Sequence, residues 1–479
     1  MKNWNFQMTT TEPIKLSKNP SAEAPSQALK AHQDPRGVYI STYGCQMNVN
    51  DSERMLTLLE MSNYIEVKDP KDAELILINS CSVREKPVHK VRSEVGTYRE
   101  LKKKNPRLKI GVGGCVAQQE KDKLLKDAPL VDFVFGTDAV DQLPELVAQV
   151  QLENRKIVSA KFKHDEPYQI ETLIRNPGVA SFVNIGKGCD NFCSFCVVPF
   201  TRGREKSRSM KELLSDIKKL TERGVKEVTL LGQNVNSYRS ECGANFTDLL
   251  KHICEETEIS RIRYTSPHPK DFDQALIDLS QKYRSKICDY LHLPAQSGNT
   301  EVLARMNRNY SRDEYLEKVK MIREGIPGVA LSTDLIVGFP GETELQFQDT
   351  MKLIEEVRFE NIYAFAYSPR PFTKAAKFED QLDEPTKFRR LNELLDRQRV
   401  IAFELADSYN DAELEILIEE FKSEEKYLVG RSTQNKLTYI LAPSERPESY
   451  IGSIQKVKVK KAFPTVLRAE LISSTQGLN

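Results

Sequence analysis

Apolar runs of strand length alternate with charged segments of helical spacing through the first third of the chain. Four such runs are present: 38–43, 75–79, 108–112 and 131–135. Each is followed by a charged segment in which the apolar residues recur with helical spacing, such as 51–61. Strand and amphipathic helix in alternation are typical of a parallel sheet with helices on its faces. We therefore predict a parallel α/β domain over 37–152.

A polar stretch at 151–176 interrupts this rhythm and is interpreted as a linker. Six further strand candidates follow: 181–185, 227–231, 261–265, 287–293, 330–337 and 362–367. Because helical segments separate them, we predict a second α/β unit over 175–405, a partial barrel of the (β/α)6 type.

The last part of the chain has a different pattern. A long amphipathic helix is predicted over 386–407, and five short strands follow it, which favours a small β-barrel at 408–475. The first 36 residues are polar and lack the apolar core of a signal peptide, so we expect a flexible leader on a cytoplasmic protein.

Composition narrows the function without assigning it. The 479 residues are enough for two or three domains, and no apolar run approaches the ~18 residues of a membrane span. We expect a soluble monomer with no membrane partner. The net charge of +1 provides no global attraction for nucleic acid, so RNA contact would need local patches. Nine cysteines without an export signal favour reduced thiols that bind metal or do chemistry.

Three of these cysteines follow strand candidates of the first domain. Cys45, Cys81 and Cys115 occur in the contexts TYGCQMN, INSCSVR and VGGCVAQ. The carboxyl ends of neighbouring parallel strands meet at one edge, so we expect the three thiols to converge on a metal or an iron–sulfur cluster. Two alternatives are small buried thiols and a zinc site with His89 as the fourth ligand, although a closed zinc site needs four protein ligands.

A tighter triad follows the first strand of the second unit. Cys189, Cys193 and Cys196 have the spacing C-x-x-x-C-x-x-C. Three thiolates so close together fit one cuboidal cluster and leave the fourth iron open. The amino and carboxylate groups of S-adenosylmethionine could chelate that iron. The alternative is a zinc knuckle, which usually has paired C-x-x-C units and a fourth ligand.

The triad resembles the signature of the radical S-adenosylmethionine superfamily. The two cysteine sets together, within the predicted domain order, resemble its methylthiotransferase family over about 37–474. The segments that carry the resemblance are YGCQMNVNDSE, CSVREKP, GCDNFCSFCVVPFTRGREKSR, LLGQNVNSY, SPHP and LHLPAQSGN. After the triad and at HLPAQSG the sequence is similar to the branch of the family that acts on tRNA.

The resemblance implies an activity and its cofactors. The activity is methylthiolation of C2 of N6-isopentenyladenosine at position 37, beside the tRNA anticodon. One S-adenosylmethionine serves as methyl donor and a second as radical source, with two 4Fe-4S clusters on the two cysteine triads and a flavodoxin- or ferredoxin-like electron donor. The alternatives are a methylthiotransferase with another tRNA adenosine or a ribosomal protein as substrate, and a non-catalytic cluster carrier.

The resemblance also implies roles for particular residues. Gly232, Gln233, Gly338 and Glu342 match turns of the S-adenosylmethionine pocket, and the last domain is similar to TRAM, a small RNA-binding barrel. Local basic patches are the RNA-binding candidates, with solvated faces as the alternative: Arg202, Arg204, Lys206 and Arg208 after the triad, and Lys456, Lys458, Lys460 and Lys461 in the last domain.

Several residues depart from the family pattern or match none. Phe372 and the start of the last domain at Asp411 stand where the family usually has glycine. Three cysteines fit no ligand pattern and are expected to be structural: Cys242, Cys254 and Cys288. His268 and His292 are expected at strand ends, either in the pocket or as satisfied polar core residues.

Overall fold

The computed structural model describes residues 34–82, 86–163, 166–168, 170–172, 174–175 and 177–472, with 86–88 described by their backbone alone. All but the last three residues of the predicted leader lie outside the described residues. The chain divides by packing into two units. The first comprises 1–166, 173–176 and 197–203, and the second comprises 167–172, 177–196 and 204–479. No helix of the described part is long and apolar enough to cross a membrane.

The first unit contains a six-stranded parallel sheet of order β2-β1-β3-β4-β5-β6. Its strands are β1 (Arg36–Tyr43), β2 (Tyr64–Glu66), β3 (Leu75–Ser80), β4 (Lys109–Gly113), β5 (Phe133–Phe135) and β6 (Ile157–Ser159). Its helices are α1 (Gln46–Glu60), α2 (Lys86–Thr97), α3 (Arg99–Lys104), α4 (Gly114–Glu120), α5 (Asp122–Asp127), α6 (Leu143–Glu153) and α7 (Val198–Thr201).

Alternate residues of each central strand enter two apolar clusters. Leu75 and Leu77 pack in one cluster, whereas Ile76 and Ile78 pack in the other. A strand that begins with four apolar residues in succession needs cover on both faces, which explains why β3 is completely buried at the centre of the sheet.

The second unit contains six parallel strands in two sheets, β11-β10-β7 and β12-β13-β14. The strands are β7 (Ala180–Asn184), β10 (Glu227–Leu231), β11 (Arg261–Tyr264), β12 (Tyr290–His292), β13 (Ala330–Val337) and β14 (Asn361–Ala366), with a short antiparallel pair β8 (Gly186–Lys187) and β9 (Lys206–Ser207). A single parallel bridge between Ile262 and Ile287 joins the two sheets. The predicted partial barrel of six strands is confirmed, and this bridge connects its two three-stranded halves.

Helices separate the strands of the second unit, and a long helix leads to its last part. They are α8 (Met210–Glu222), α9 (Phe246–Glu256), α10 (Gln274–Lys282), α11 (Thr300–Arg305), α12 (Arg312–Gly325), α13 (Glu344–Val357) and α14 (Glu384–Asp407). The chain ends in a closed barrel of order β15-β16-β17-β19-β18, as predicted. Its strands are β15 (Glu413–Lys422), β16 (Tyr427–Ser432), β17 (Leu437–Leu441), β18 (Ile454–Ala462) and β19 (Val466–Leu471).

Two buried arginines of β11 attach this barrel to the partial barrel within the second unit. Arg261 donates to the carbonyl oxygens of Arg431 (2.7 Å) and Glu415 (2.9 Å). Arg263 donates to the carbonyl oxygens of Ser432 (2.6 Å) and Thr433 (3.0 Å). Glu227 on the neighbouring strand balances the charge of Arg263 at 2.8 Å.

Candidate functional site

Cys45, Cys81 and Cys115 converge at the carboxyl edge of the first sheet. Cys45 is the N-cap of α1, Cys81 follows β3, and Cys115 lies in the first turn of α4. The strands before them are neighbours, because β1 and β4 both pair with β3. Gly44 permits the close approach: its φ is 130°, and a Cβ there would lie 2.5 Å from the Cβ of Cys81.

The three thiols of this site interact directly. Hydrogen bonds with Cys115 and Cys45 raise the pKa of Cys81 well above its usual value. The same bonds lower the pKa of Cys45 to about 6 and that of Cys115 to about 7. Three adjacent thiols cannot all ionise unless positive charge is placed between them, so this donor set fits a cationic metal cluster. Beside Cys81, the buried hydroxyls of Ser80 and Ser82 have no hydrogen-bond partner among the described residues.

Asn48 and Asn79 form a hydrogen-bond network next to the Cys45 thiol. The Cys45 thiol donates to Oδ1 of Asn48 (3.4 Å), and Nδ2 of Asn48 donates to Oδ1 of Asn79 (3.1 Å). Nδ2 of Asn79 in turn donates a hydrogen bond to the carbonyl oxygen of Asn48 (2.8 Å). Neither asparagine was predicted from the sequence as part of the site, although each lies within three positions of a predicted ligand and is completely buried.

Arg202 lies buried beside this site. It is 5% exposed, and its Nη2 lies 2.8 Å from Oδ2 of Asp51 and 3.5 Å from Oδ1 of Asn48. A buried guanidinium that is paired with a carboxylate is poorly placed to reach a phosphate, so the RNA contact of Arg202 stays a prediction that this position disfavours.

The second triad lies on a loop of the second unit. Nδ2 of Asn191 donates to the sulfur of Cys189 (3.4 Å), and Nη1 of Arg308 lies 3.5 Å from the sulfur of Cys193. The amide of Cys196 donates to the carbonyl oxygen of Cys193 (3.0 Å). Burial raises the pKa of Cys189, and the neighbouring Cys193 adds to that effect. The sulfur atoms of Cys189 and Cys193 are close enough to repel as thiolates, so this donor set also fits a cationic cluster.

The segment after α11 supports the triad loop. The amide of Ser194 donates to the carbonyl oxygen of Met306 (2.9 Å), and its hydroxyl donates to that of Arg305 (2.7 Å). Nδ2 of Asn307 donates to the carbonyl oxygens of Asn191 (3.1 Å) and Phe192 (3.0 Å). In the described part of the chain, no group of three or more His, Cys, Asp or Glu side chains is spaced to hold a single metal ion. A cuboidal cluster separates its ligands more widely than one ion does.

The four residues assigned to the cofactor pocket have different environments. Oε1 of Gln233 accepts from the amide of Gly188 (2.6 Å), next to the triad, and Gly232 and Gln233 line a small cavity together with Lys187, Glu205 and Lys206. Gln233 thus holds the backbone next to the triad, and the cofactor contacts of both residues stay a prediction.

Glu342 supports the glycine turn. Its Oε2 accepts from the amide of Gly338 (2.6 Å) and pairs with Arg390 (2.7 Å), and burial raises the pKa of this carboxyl. The other carboxylate oxygen, Oε1, is buried and has no hydrogen-bond partner among the described residues, so the place of Glu342 in the cofactor pocket stays a prediction. Gly338 has a φ of 68°, and a Cβ there would lie 2.5 Å from Cγ of Lys387, so glycine permits the approach of α14.

The remaining RNA candidates divide by exposure. Arg208 is 1% exposed and pairs with Asp216 at 2.7 Å, so its RNA contact is likewise a prediction that its position disfavours. Six candidates are at least partly exposed: Arg204, Lys206, Lys456, Lys458, Lys460 and Lys461. Arg204 pairs with Asp190 (2.7 Å) near the triad.

The other cysteines and histidines named from the sequence differ in exposure. Cys254 and Cys288 are buried, whereas Cys242 is exposed. His89 is exposed on α2. Nδ1 of His292 lies 2.9 Å from the hydroxyl of Ser332, and its Nε2 lies 3.4 Å from Asp334.

His268 is buried, and its Nδ1 accepts from the amide of Lys270 (3.3 Å). Burial, together with the charges of Arg308 and Lys270, lowers the pKa of His268 to about 2. The imidazole is therefore neutral at physiological pH.

Phe372 and Asp411 keep a glycine-like backbone. Their φ values are 72° and 61°, in the left-handed region that glycine favours. Each of these non-glycine residues is held there at a strain of about 1–2 kcal/mol.

Comparisons with known proteins agree with this architecture. Residues 183–354 match the Radical SAM superfamily, and 37–136 match the Uncharacterized protein family UPF0004. The fold is similar to the radical S-adenosylmethionine methyltransferase TsrM from Kitasatospora setae, with a TM-score of 0.54 and 15% identity over 71% of this chain and 74% of that one. The partial barrel and its cysteine triad thus define a radical S-adenosylmethionine enzyme, a class that uses S-adenosylmethionine and a 4Fe-4S cluster.

Relatives with closer sequences identify the family. The tRNA-2-methylthio-N(6)-dimethylallyladenosine synthase of Bdellovibrio bacteriovorus is 60% identical over 91% of this chain and 96% of that protein. The protein of the same name from Syntrophus aciditrophicus is 41% identical over 92% and 95%. This chain belongs to the tRNA-2-methylthio-N(6)-dimethylallyladenosine synthase family.

Proposed function

We propose that this protein attaches a methylthio group to C2 of N6-isopentenyladenosine at position 37 of tRNA. One S-adenosylmethionine is the methyl donor and a second is the radical source. The observation that carries the proposal is the presence of two separate cysteine triads, in each of which neighbouring thiols interact and a buried guanidinium lies nearby. Full-length similarity to synthases of this name supports the choice of substrate.

Cys45, Cys81 and Cys115 would hold one 4Fe-4S cluster, and Cys189, Cys193 and Cys196 would hold the other. When bound, a cluster with an open iron supplies the electron for reductive cleavage of S-adenosylmethionine. A radical route suits the substrate, because an aromatic C–H bond is not acidic enough for a side-chain base. We further propose that a flavodoxin- or ferredoxin-like protein donates the electrons and that the protein acts as a monomer.

The chain's own residues position these groups. Gln233 fixes the amide of Gly188, which sets the start of the triad loop. Arg308 holds positive charge beside Cys193, and Asn191 donates to Cys189, so both thiolates are stabilised. Glu342 and Arg390 hold the Gly338 turn at the end of β13.

Two triple variants of the full-length chain test the ligand assignment. We expect about eight irons per chain after anaerobic reconstitution, and about four in C45A/C81A/C115A and in C189A/C193A/C196A. Loss of all iron in one variant and none in the other would contradict two independent sites. As a matched control, C254A/C288A replaces two buried cysteines outside both triads and should retain full iron content.

The reaction is tested on tRNA from a strain that lacks the gene. Mass spectrometry should show 2-methylthio-N6-isopentenyladenosine only after addition of the wild-type protein, and tRNA without the isopentenyl group should give no product. Methylthiolation of that unprenylated tRNA would instead support the alternative adenosine substrate. A cluster carrier would form no 5′-deoxyadenosine from S-adenosylmethionine, which would overturn the proposed activity.

A further inference from the structure

Arg202 reaches the N-terminal cysteine site from an unexpected part of the chain. It stands six residues after Cys196 in the sequence, yet 197–203 packs as part of the first unit. Within that unit α7 lies against α4, and the carbonyl oxygen of Thr201 accepts from Oγ1 of Thr137 (2.9 Å). The guanidinium beside the N-terminal cysteine site therefore comes from a segment outside the βαβ units of the first sheet.

The guanidinium is linked to a cysteine through one atom. Oδ1 of Asn48 lies 3.5 Å from Nη2 of Arg202 and accepts from the Cys45 thiol at 3.4 Å. The positive charge of Arg202 also attracts the thiolates of Cys45 and Cys115. Because Arg202 is buried, this attraction is only weakly screened by solvent.

Asp51 opposes the guanidinium at the same place. Its Oδ2 lies 2.8 Å from Nη2 of Arg202, and its negative charge disfavours ionisation of Cys115. The cysteine site thus faces a buried pair of opposite charges, both of which act on its sulfur atoms. Removal of either charge alone leaves the other uncompensated.

We propose that Arg202 is a positioning residue of the N-terminal cluster, and that Arg202 and Asp51 set its reduction potential in opposite directions. This inference rests on the proposed function, since it requires a cluster on Cys45, Cys81 and Cys115. Reduction adds negative charge, which a nearby guanidinium stabilises and a nearby carboxylate destabilises.

The test uses the full-length C189A/C193A/C196A chain, in which only the N-terminal cluster remains. Redox titration followed by electron paramagnetic resonance gives the midpoint potential of that cluster. We expect R202Q to shift it to a more negative value, D51N to shift it to a more positive value, and R202K to keep it near the starting value. The matched control is R54Q, because Arg54 is similarly buried in this unit but pairs with Asp141.

Opposite shifts separate an effect of charge from a loss of packing, which would change both variants in the same way. Shifts of equal sign, or potentials unchanged in both R202Q and D51N, would overturn the inference. Should R202Q fail to bind a cluster, the D51N variant alone tests the inference, which then requires a midpoint potential more positive than that of the starting chain. Absence of iron from the starting triple variant would instead overturn the proposed N-terminal cluster, so the two failures are distinguishable.

Discussion

Nη1 of Arg308 lies 3.5 Å from the sulfur of Cys193, and the same guanidinium donates to the hydroxyl of Tyr310 (2.9 Å) and the carbonyl oxygen of Pro294 (3.0 Å). These partners are neutral. Among the described residues no carboxylate forms an ion pair with Arg308, whereas Arg202 at the first site is paired with Asp51. In the described part of the chain, the charge of Arg308 beside Cys193 is therefore not offset by an ion-paired carboxylate.

Replacement of Arg308 should impair the triad cluster. R308M removes the charge beside Cys193, so we expect formation of 5′-deoxyadenosine to fall by about 10–100-fold, the usual effect of losing a residue that supports a ligand. R308K should recover part of the rate because it keeps the charge. The control R305M removes a more exposed guanidinium, paired with Asp380, from the same segment and should remain close to wild type. An R308M rate equal to wild type would contradict the assigned role.

Replacement of Gly338 should cost stability for two reasons. Alanine at a φ of 68° is strained by about 1–2 kcal/mol, and its Cβ would also collide with Lys387. G224A is the matched control, because Gly224 has a φ of 90° and open space around its Cβ position. We expect urea unfolding to show a larger loss for G338A than for G224A by about 1 kcal/mol or more. Equal losses would mean that the approach of α14 tolerates a side chain.

RNA binding should depend on exposed basic residues only. R204Q and K458Q each remove a charge from a predicted patch, so each should weaken tRNA binding and reduce the slope of log K against log salt by about 1. K320Q is the control, because Lys320 is an exposed lysine on α12 outside both patches. R202Q, in which the lost charge is buried, should leave the salt slope unchanged. A reduced slope in R202Q would restore that residue to the RNA surface.

His268 should make the protein less stable in acid. Its pKa is about 2 when folded and about 6.5 when unfolded, so below pH 6.5 the unfolded chain binds a proton that the folded chain does not. The contribution of this residue is fully present above pH 6.5 and falls as the pH is lowered. At pH 5 the loss is about 2 kcal/mol relative to pH 7.5.

Urea unfolding of wild type and H268Q at both pH values measures this contribution. We expect H268Q to lose about 2 kcal/mol less than wild type between pH 7.5 and pH 5. Parallel pH dependence of the two proteins would show that the folded imidazole is readily protonated.

The sequence predicted the parts of the fold that long apolar runs specify. The central strands and the cysteines at their ends follow from such runs. The edge strands β2 and β6 were not predicted, because neither lies in an apolar run as long as those that mark the other strands. The burial of Arg202 was also missed, since Asp51 lies 151 positions away and pairing over such a separation depends on the tertiary fold.

Glu342 shows the same limit at the candidate pocket. The motif places it beside a turn, but only the structure shows that α14 brings Arg390 over its carboxylate. Arg208 differs, because Asp216 is only eight positions away on α8. That pairing could have been considered, since α8 begins directly after the basic run.

The arginines of β11 bind the terminal barrel through carbonyl oxygens of its main chain, not through its side chains. Every residue type presents a carbonyl group, so these four bonds make no demand on the side chains of the barrel. Side-chain contacts are made beside them by Thr433 with Asp289 (3.2 Å) and by Lys436 with Glu360 (2.5 Å). Relatives could therefore exchange the exposed residues of β18 without disturbing any of these contacts.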